Sequence, residues 1–504
     1  MKKIIPIVMI LIFIAGYAAG AEDYHQPPVL AKTAAVSDVR IDVNRMNGIM
    51  RNNGTWFYDN ILGDWGLEWP KGSGLSPMFA AGQWVGASVN SSPRLAGVIH
   101  GNSDFQPGVI TSWGIDPPVA AISTAAEYRW YVINSDGTGD WTDWPVAQGA
   151  PVDSLGEPLL IGDMTAFCVY NDMGTHNRFA GDKLGVEIGQ TVFAFNRADA
   201  IGDMIFIKWQ LVNKSAFDWP ETYFAIWTDP DLGNGWDDYV GSDTSLGLGF
   251  TYNATDADQQ YGSAPPAIGI DFFQGPIVDG AATDTVKLPD GTTYPGKKML
   301  KMTSFIYYNN DDSPNGNPQT TTDGWNYMRG IWRDGLPITE GEDGRNQSNP
   351  ATMFMLTGDP ETDTGWLDQS ASDRRFMMTT GPFEMPKWVD SNGDNIPQRG
   401  EPGVQEIVAG CIIGRGSNNL NSVTFLKAVD EVAQMAYDID FKLPPAPRQP
   451  EVTATELPNE VLLTWDERSE YNADDGALYS ANDIVAHGLI GQKMVVGNEY
   501  IDVT

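Results

Sequence analysis

Residues 390–401, DSNGDNIPQRGE, place Asp390, Asn392 and Asp394 at positions 1, 3 and 5 of a twelve-residue loop that Glu401 closes. A hard cation such as calcium takes about six to eight oxygens, and this alternating spacing with a closing bidentate carboxylate supplies them. The backbone carbonyl of Ile396 would fill position 7. Position 6, where such loops carry Gly, is Asn395, which tolerates a left-handed turn. Pro386 and Pro397 forbid the flanking helices of an EF-hand. The competing reading is an Asp/Asn-rich turn between strands that needs no ion.

A second acidic stretch, DPDLGNGWDDYVGSD (229–243), carries Asp229, Asp231, Asp237, Asp238 and Asp243 and no Lys or Arg. Like charges at this density repel unless solvent or a metal screens them. TYFAIWTD (222–229) reads as a strand ending at Asp229, so these carboxylates are expected on a loop at a sheet edge. A metal-stiffened loop and a solvated acidic loop are both open. Calcium is the expected ion for both stretches.

Other chemistry finds little support. The four histidines, His25, His100, His176 and His487, form no HExxH or Cys/His pattern, and neither a GxSxG elbow nor a phosphate-cradling glycine loop occurs. Glycoside hydrolysis needs two suitably placed carboxyls, which 66 acidic residues supply too easily to discriminate. Seventeen Trp and 18 Tyr suit either sugar stacking or sheet cores; WTDWP (141–145) and DWGLEWPKGSG (64–74) are the aromatic loops to examine for glycan contact.

These loops need a scaffold, and the sequence predicts an all-β one. The 504 residues include 54 Gly and 33 Pro, which punctuate short β-branched and aromatic runs. In DMIFIKWQLVNKS (203–215), Ile205, Ile207, Trp209 and Leu211 share a face while Lys208 and Gln210 point away, the period of a half-buried strand. Similar runs occur at 126–133, 184–196, 301–309 and 404–414. Residues 422–437 differ: Phe425, Leu426, Val429, Val432, Ala433 and Ala436 recur at helical spacing, with Asn421 or Ser422 as cap and Asp430 and Glu431 on the polar side. The expected architecture is a large multi-sheet β-sandwich region (22–443, as one or two domains) carrying one amphipathic helix.

The N-terminus gives an address. Lys2 and Lys3, an apolar run from Ile4 to Ala15 and the small residues Ala19-Gly20-Ala21 form the pattern of a signal peptide over residues 1–21. The run falls short of the roughly 20 residues that span a bilayer, although an uncleaved anchor is the alternative. The expected location is secreted or cell-surface, with no membrane span in the mature chain. A formal charge of −35 argues against nucleic acid and anionic membranes as partners. Cys168 and Cys411 could bridge in an exported protein or sit apart as small buried hydrophobes.

Residues 444–450, PPAPRQP, form a stiff linker into EVTATEL and EVLLTWD, two alternating strands around a Pro-Asn turn. This opening resembles a fibronectin type III module. Such a module needs about 100 residues, more than 451–504 provide, so an incomplete copy is expected. Longer strings carry a second resemblance: NNGTWFYDNILGDWGLEWPKGSG (52–74), GEPLLIGDMTAFCVYND (156–172), the 228–253 stretch, YMRGIWRDGLPIT (327–339), DRRFMMTTGPFEM (373–385) and VQEIVAGCIIGRGSNNLNSV (404–423). Over most of its length the chain resembles exported Bacteroidetes-type proteins with fibronectin type III domains, associated with type IX secretion. A C-terminal sorting domain of that type is not visible here. The resemblance implies an exported surface role and attaches no activity to named residues. The function expected from these readings is that of a non-enzymatic, calcium-stabilised surface or matrix protein binding a glycan or protein partner. The alternative is a β-sandwich enzyme acting on polysaccharides through paired carboxylates.

Overall fold

The computed structural model describes residues 36–443 and four strands beyond them, Val452–Leu457, Glu460–Trp465, Lys493–Val496 and Glu499–Asp502. Expectations for the signal peptide, the 444–450 linker and the interior of the fibronectin-like module lie outside the described residues. Val452–Leu457 and Glu460–Trp465 do form the antiparallel hairpin that their alternation suggests.

The chain is mostly β, with two nine-stranded antiparallel sheets. Along one, the strands run Asp38–Ile41, Asn47–Arg51, Thr55–Trp56, Ala80–Val89, Trp219–Asp229, Arg374–Met385 and Ser304–Asn309; this is the first sheet. The second runs Gln106–Pro107, Met164–Asn171, Val186–Ala194, Met204–Asn213, Val404–Gly414, Ala267–Gln274, Leu248–Asn253 and Asp238–Asp243. Short side strands complete each sheet. The alternation in 203–215 has the predicted outcome: Ile205, Ile207, Trp209 and Leu211 all enter the core between the sheets. There Trp209 stacks on Trp56 at 5.3 Å and meets Phe224 at 5.1 Å, which fixes Phe224, Ile226 and Thr228 as the inward face of their strand. Burying each such side chain is worth about 1.5–3 kcal/mol, so the period-two pattern sets the register firmly.

Two helices cover the outer faces. Helix α2 (Asn419–Asp438) packs Leu426, Val429, Val432, Ala433 and Ala436 against Phe206, Phe250, Phe273 and Ile412 of the second sheet. Its cap is Asn418 rather than Asn421 or Ser422, and Phe425 is exposed. Asp430, expected on the polar side, is instead buried. Helix α1 (Thr321–Met328) was not expected from apolar spacing; a capping box between Thr320 and Asp323 starts it. It can approach the first sheet because Gly86 has no Cβ, which would lie 2.9 Å from the Met328 sulfur. The 126–133 run also splits, into a tight turn at Ala126–Tyr128 and the strand Tyr131–Asn134.

Cys168 and Cys411 are both buried and free. Their strands are separated by two others, a lateral gap of about 14 Å, far beyond disulfide reach.

Candidate metal centre

The strand Trp219–Asp229 lies between Ala80–Val89 and Arg374–Met385 in the first sheet. Because Phe224, Ile226 and Thr228 face inward, Trp227 and Asp229 emerge on the outer face. Thr228 is in register with Phe376, so Arg375 stands beside Asp229 across the strands. Its guanidinium reaches Asp229 Oδ2 at 3.2 Å, and its other nitrogen donates to the side-chain oxygens of Asn310 and Asn317, both at 2.6 Å. His100 Nε2 meets the same Asp229 oxygen at 2.5 Å. The imidazole is held by Tyr58, Phe79 and Trp227, and the Trp227 indole donates to the Tyr308 hydroxyl at 2.6 Å. Asp229 is therefore fixed from several directions, and it is only 3% exposed.

Its second oxygen, Oδ1, has no hydrogen-bond partner. Asp231 and Asp373 bring carboxylates to the same place, and ligand atoms of the three lie within 4.8 Å of one another. Asp373 accepts from Asn310 Nδ2 at 2.8 Å and keeps its own Oδ1 buried and unpartnered. Asp231 arrives from a loop in a left-handed conformation, φ 31°. That loop is anchored by the buried Leu232, whose N–H donates to Asp238 Oδ2, and by Asn234 N–H to Asp258 Oδ2. Gly235 makes the approach possible: a Cβ there would sit 2.2 Å from Asp231 Oδ1.

Three carboxyls so close cannot all ionise unaided. Burial works against ionising Asp229, but Arg375 and His100 outweigh it and hold its pKa down at about 2. Burial, then the neighbouring Asp229 and Asp373 charges, push Asp231 well above the usual carboxylate range. Asp373 is raised by burial and by Asp229. Fully ionised, the three acids would exceed the Arg375 charge by two negative charges, which a divalent cation would neutralise. The donors are all oxygen, the set that hard ions such as calcium, magnesium and manganese prefer.

Of the acidic residues singled out in the sequence, Asp229 and Asp231 converge here with Asp373, which sequence spacing did not associate with them. Asp237 is partly buried with one unpartnered oxygen, and Asp238 is buried, with burial raising it well above its ordinary range. Asp243 lies elsewhere, paired with Lys427 at 3.1 Å. In the 390–401 loop the acids receive donors from the loop itself. Asp390 accepts from Gly393 and Asn395 N–H, Asn392 Oδ1 from Asp394 N–H, and Asp394 Oδ1 from Ile396 N–H. Glu401 accepts from Trp388 Nε1 and from Ser391 and Gln398 N–H. Asn395 adopts the left-handed conformation, φ 63°. Among the described residues, the acids of this loop form no group of three within 4.8 Å.

The aromatic loops turn inward. Trp144 is buried beside Phe167, and the buried Trp69 indole donates to Asp203. Among the described residues no helix is long and apolar enough to cross a membrane. Compared with known proteins, the chain matches no protein-family model and shows no significant similarity to any curated protein.

Proposed function

We propose that the chain is an exported, non-enzymatic surface or matrix protein whose sandwich is stabilised by a calcium ion at Asp229, Asp231 and Asp373, and that it offers its ordered loops to a glycan or protein partner. One observation carries the metal reading: the deeply buried Asp229 keeps an unpartnered oxygen within a group of three converging carboxylates. A buried polar atom without a partner costs about 1–3 kcal/mol, more when charged, and a cation removes that cost. The signal-peptide pattern at residues 1–21 and the resemblance to exported proteins support the location. The 390–401 loop is the second place whose spacing suits calcium, and it is tested in parallel.

Melting the mature chain in calcium and in chelator tests the reading. A ligand at one hundred times its Kd stabilises by about 2.7 kcal/mol, so calcium should raise the transition clearly. Superimposable curves would end it.

The enzyme alternative draws on the opposite pKa shifts of Asp229, held low, and Asp231, pushed up, the direction of an acid–base pair. A cleft of about 560 Å³ elsewhere holds Glu401 and Glu406. There, however, Glu401 is occupied by three donors and Glu406 pairs with Lys208 and Arg399. Turnover in a screen of plant and algal polysaccharides would favour the enzyme.

A further inference from the structure

We propose that Trp236 is the contact residue of a calcium-dependent carbohydrate site, its indole stacking on a pyranose ring whose vicinal hydroxyls complete the shell of the adjacent ion. The proposal rests on the metal reading above and names the partner of that same site. Trp236 is 72% exposed, whereas the Trp residues of both sequence-flagged aromatic loops pack inward or are only partly exposed. It follows Gly235, where an added Cβ would lie 2.2 Å from Asp231 Oδ1, and stands five residues after Asp231 on the same loop.

Its platform is rigid. Leu232 is fully buried, Asp238 and Asp258 accept from the loop backbone, and Gly233 N–H donates to the Ser76 carbonyl at 2.9 Å. A rigid, solvent-facing aromatic gives contact area at little entropic cost, which suits recognition. The ion supplies the second element. Three carboxylates offering one oxygen each leave about half of a six-to-eight-oxygen shell open, and paired hydroxyls are neutral oxygen donors that can enter it. The surrounding acidity favours such neutral ligands over polyanions. Exposed Ile61 and Leu62 stand at the tip of the hairpin that carries Tyr58, which stacks on His100. Aliphatic tips do not separate a sugar from a lipid surface, so vesicles form an arm of the test.

The mature chain is incubated with insoluble cellulose, xylan, mannan and chitin, and with phosphatidylserine/phosphatidylcholine vesicles, in calcium or chelator. The expected result is retention on at least one polysaccharide in calcium. Chelator and Trp236→Ala should each lower that retention at least tenfold, with Trp236→Phe intermediate and the melting curve of Trp236→Ala unchanged in calcium. Retention that Trp236→Ala leaves intact overturns the proposal, as does calcium-dependent capture by vesicles alone. Calcium stabilisation without retention on any of the four polymers overturns the carbohydrate site and leaves the metal reading standing. Failure of calcium to stabilise the chain removes both.

Discussion

Asp229 shows how the pKa of a buried carboxylate can be held low while those of its neighbours are pushed up. Arg375 and His100 compensate its burial, while burial and the Asp229 charge push Asp231 and Asp373 upward. A cation bound here competes with protons on these two acids, so its affinity should rise with pH and flatten once both acids are ionised. Calcium titrations at three pH values check the trend; a pH-independent Kd contradicts it. Arg375 is the counterweight. Arg375→Met leaves a buried charge unpaired and should cost about 3–5 kcal/mol in denaturant unfolding. Gly235→Ala should act differently: its new Cβ displaces the Asp231 carboxylate, weakening calcium about tenfold or more while stability in chelator changes little. The sequence revealed Asp229 and Asp231 through charge density alone. It could not reveal Asp373, His100 or Arg375, because strand pairing joins them from positions far along the chain.

At the scale of elements, the interface of helix α2 with the second sheet carries its own ionisable pair. Asp271 and Asp430 are each 1% exposed; neither oxygen of Asp271 has a hydrogen-bond partner, nor has Asp430 Oδ1. Asp271 projects from the outer face of Ala267–Gln274, opposite to Ile268, Ile270 and Phe272 of the core, and so lies on the side that α2 covers. Burial pushes Asp271 up to about 8, and burial with the Asp271 charge raises Asp430 well above its ordinary range. Both folded-state values exceed the unfolded ones, so the native state holds extra protons at intermediate pH. Stability should therefore be greatest near pH 4 as far as these groups are concerned, and fall as pH rises through about 8. Asp271→Asn should remove much of that fall, read from melting at pH 5, 7 and 9 in chelator; an unaltered slope would contradict it. This pair was hidden in the sequence, where helical periodicity put Asp430 on the wet side. The helix itself was legible because five of its six apolar positions do meet the sheet. Helix α1 was missed because a short TTDGWNYM segment has no apolar repeat, and its start signal is the Thr320–Asp323 capping box.

At the scale of the molecule, two sheets share a core rich in Trp, Phe and Met, and the candidate metal centre lies at a strand end and its loop. Alternation in 203–215 and 404–414 was enough to foresee the sheets, since each strand buries one or both faces. The pairing order was not legible, because the first sheet joins strands from residues 38 to 385. If a cation binds as proposed, the large acid excess would let it ease repulsion across the fold as well as in one loop. The most direct test of the central claim is calorimetric titration of calcium into the chelator-stripped mature chain and two double variants. The account predicts a binding event that Asp231→Asn with Asp373→Asn abolishes and that Asp390→Ala with Glu401→Ala leaves in place. A titration of the Asp231/Asp373 variant identical to that of the parent would contradict it.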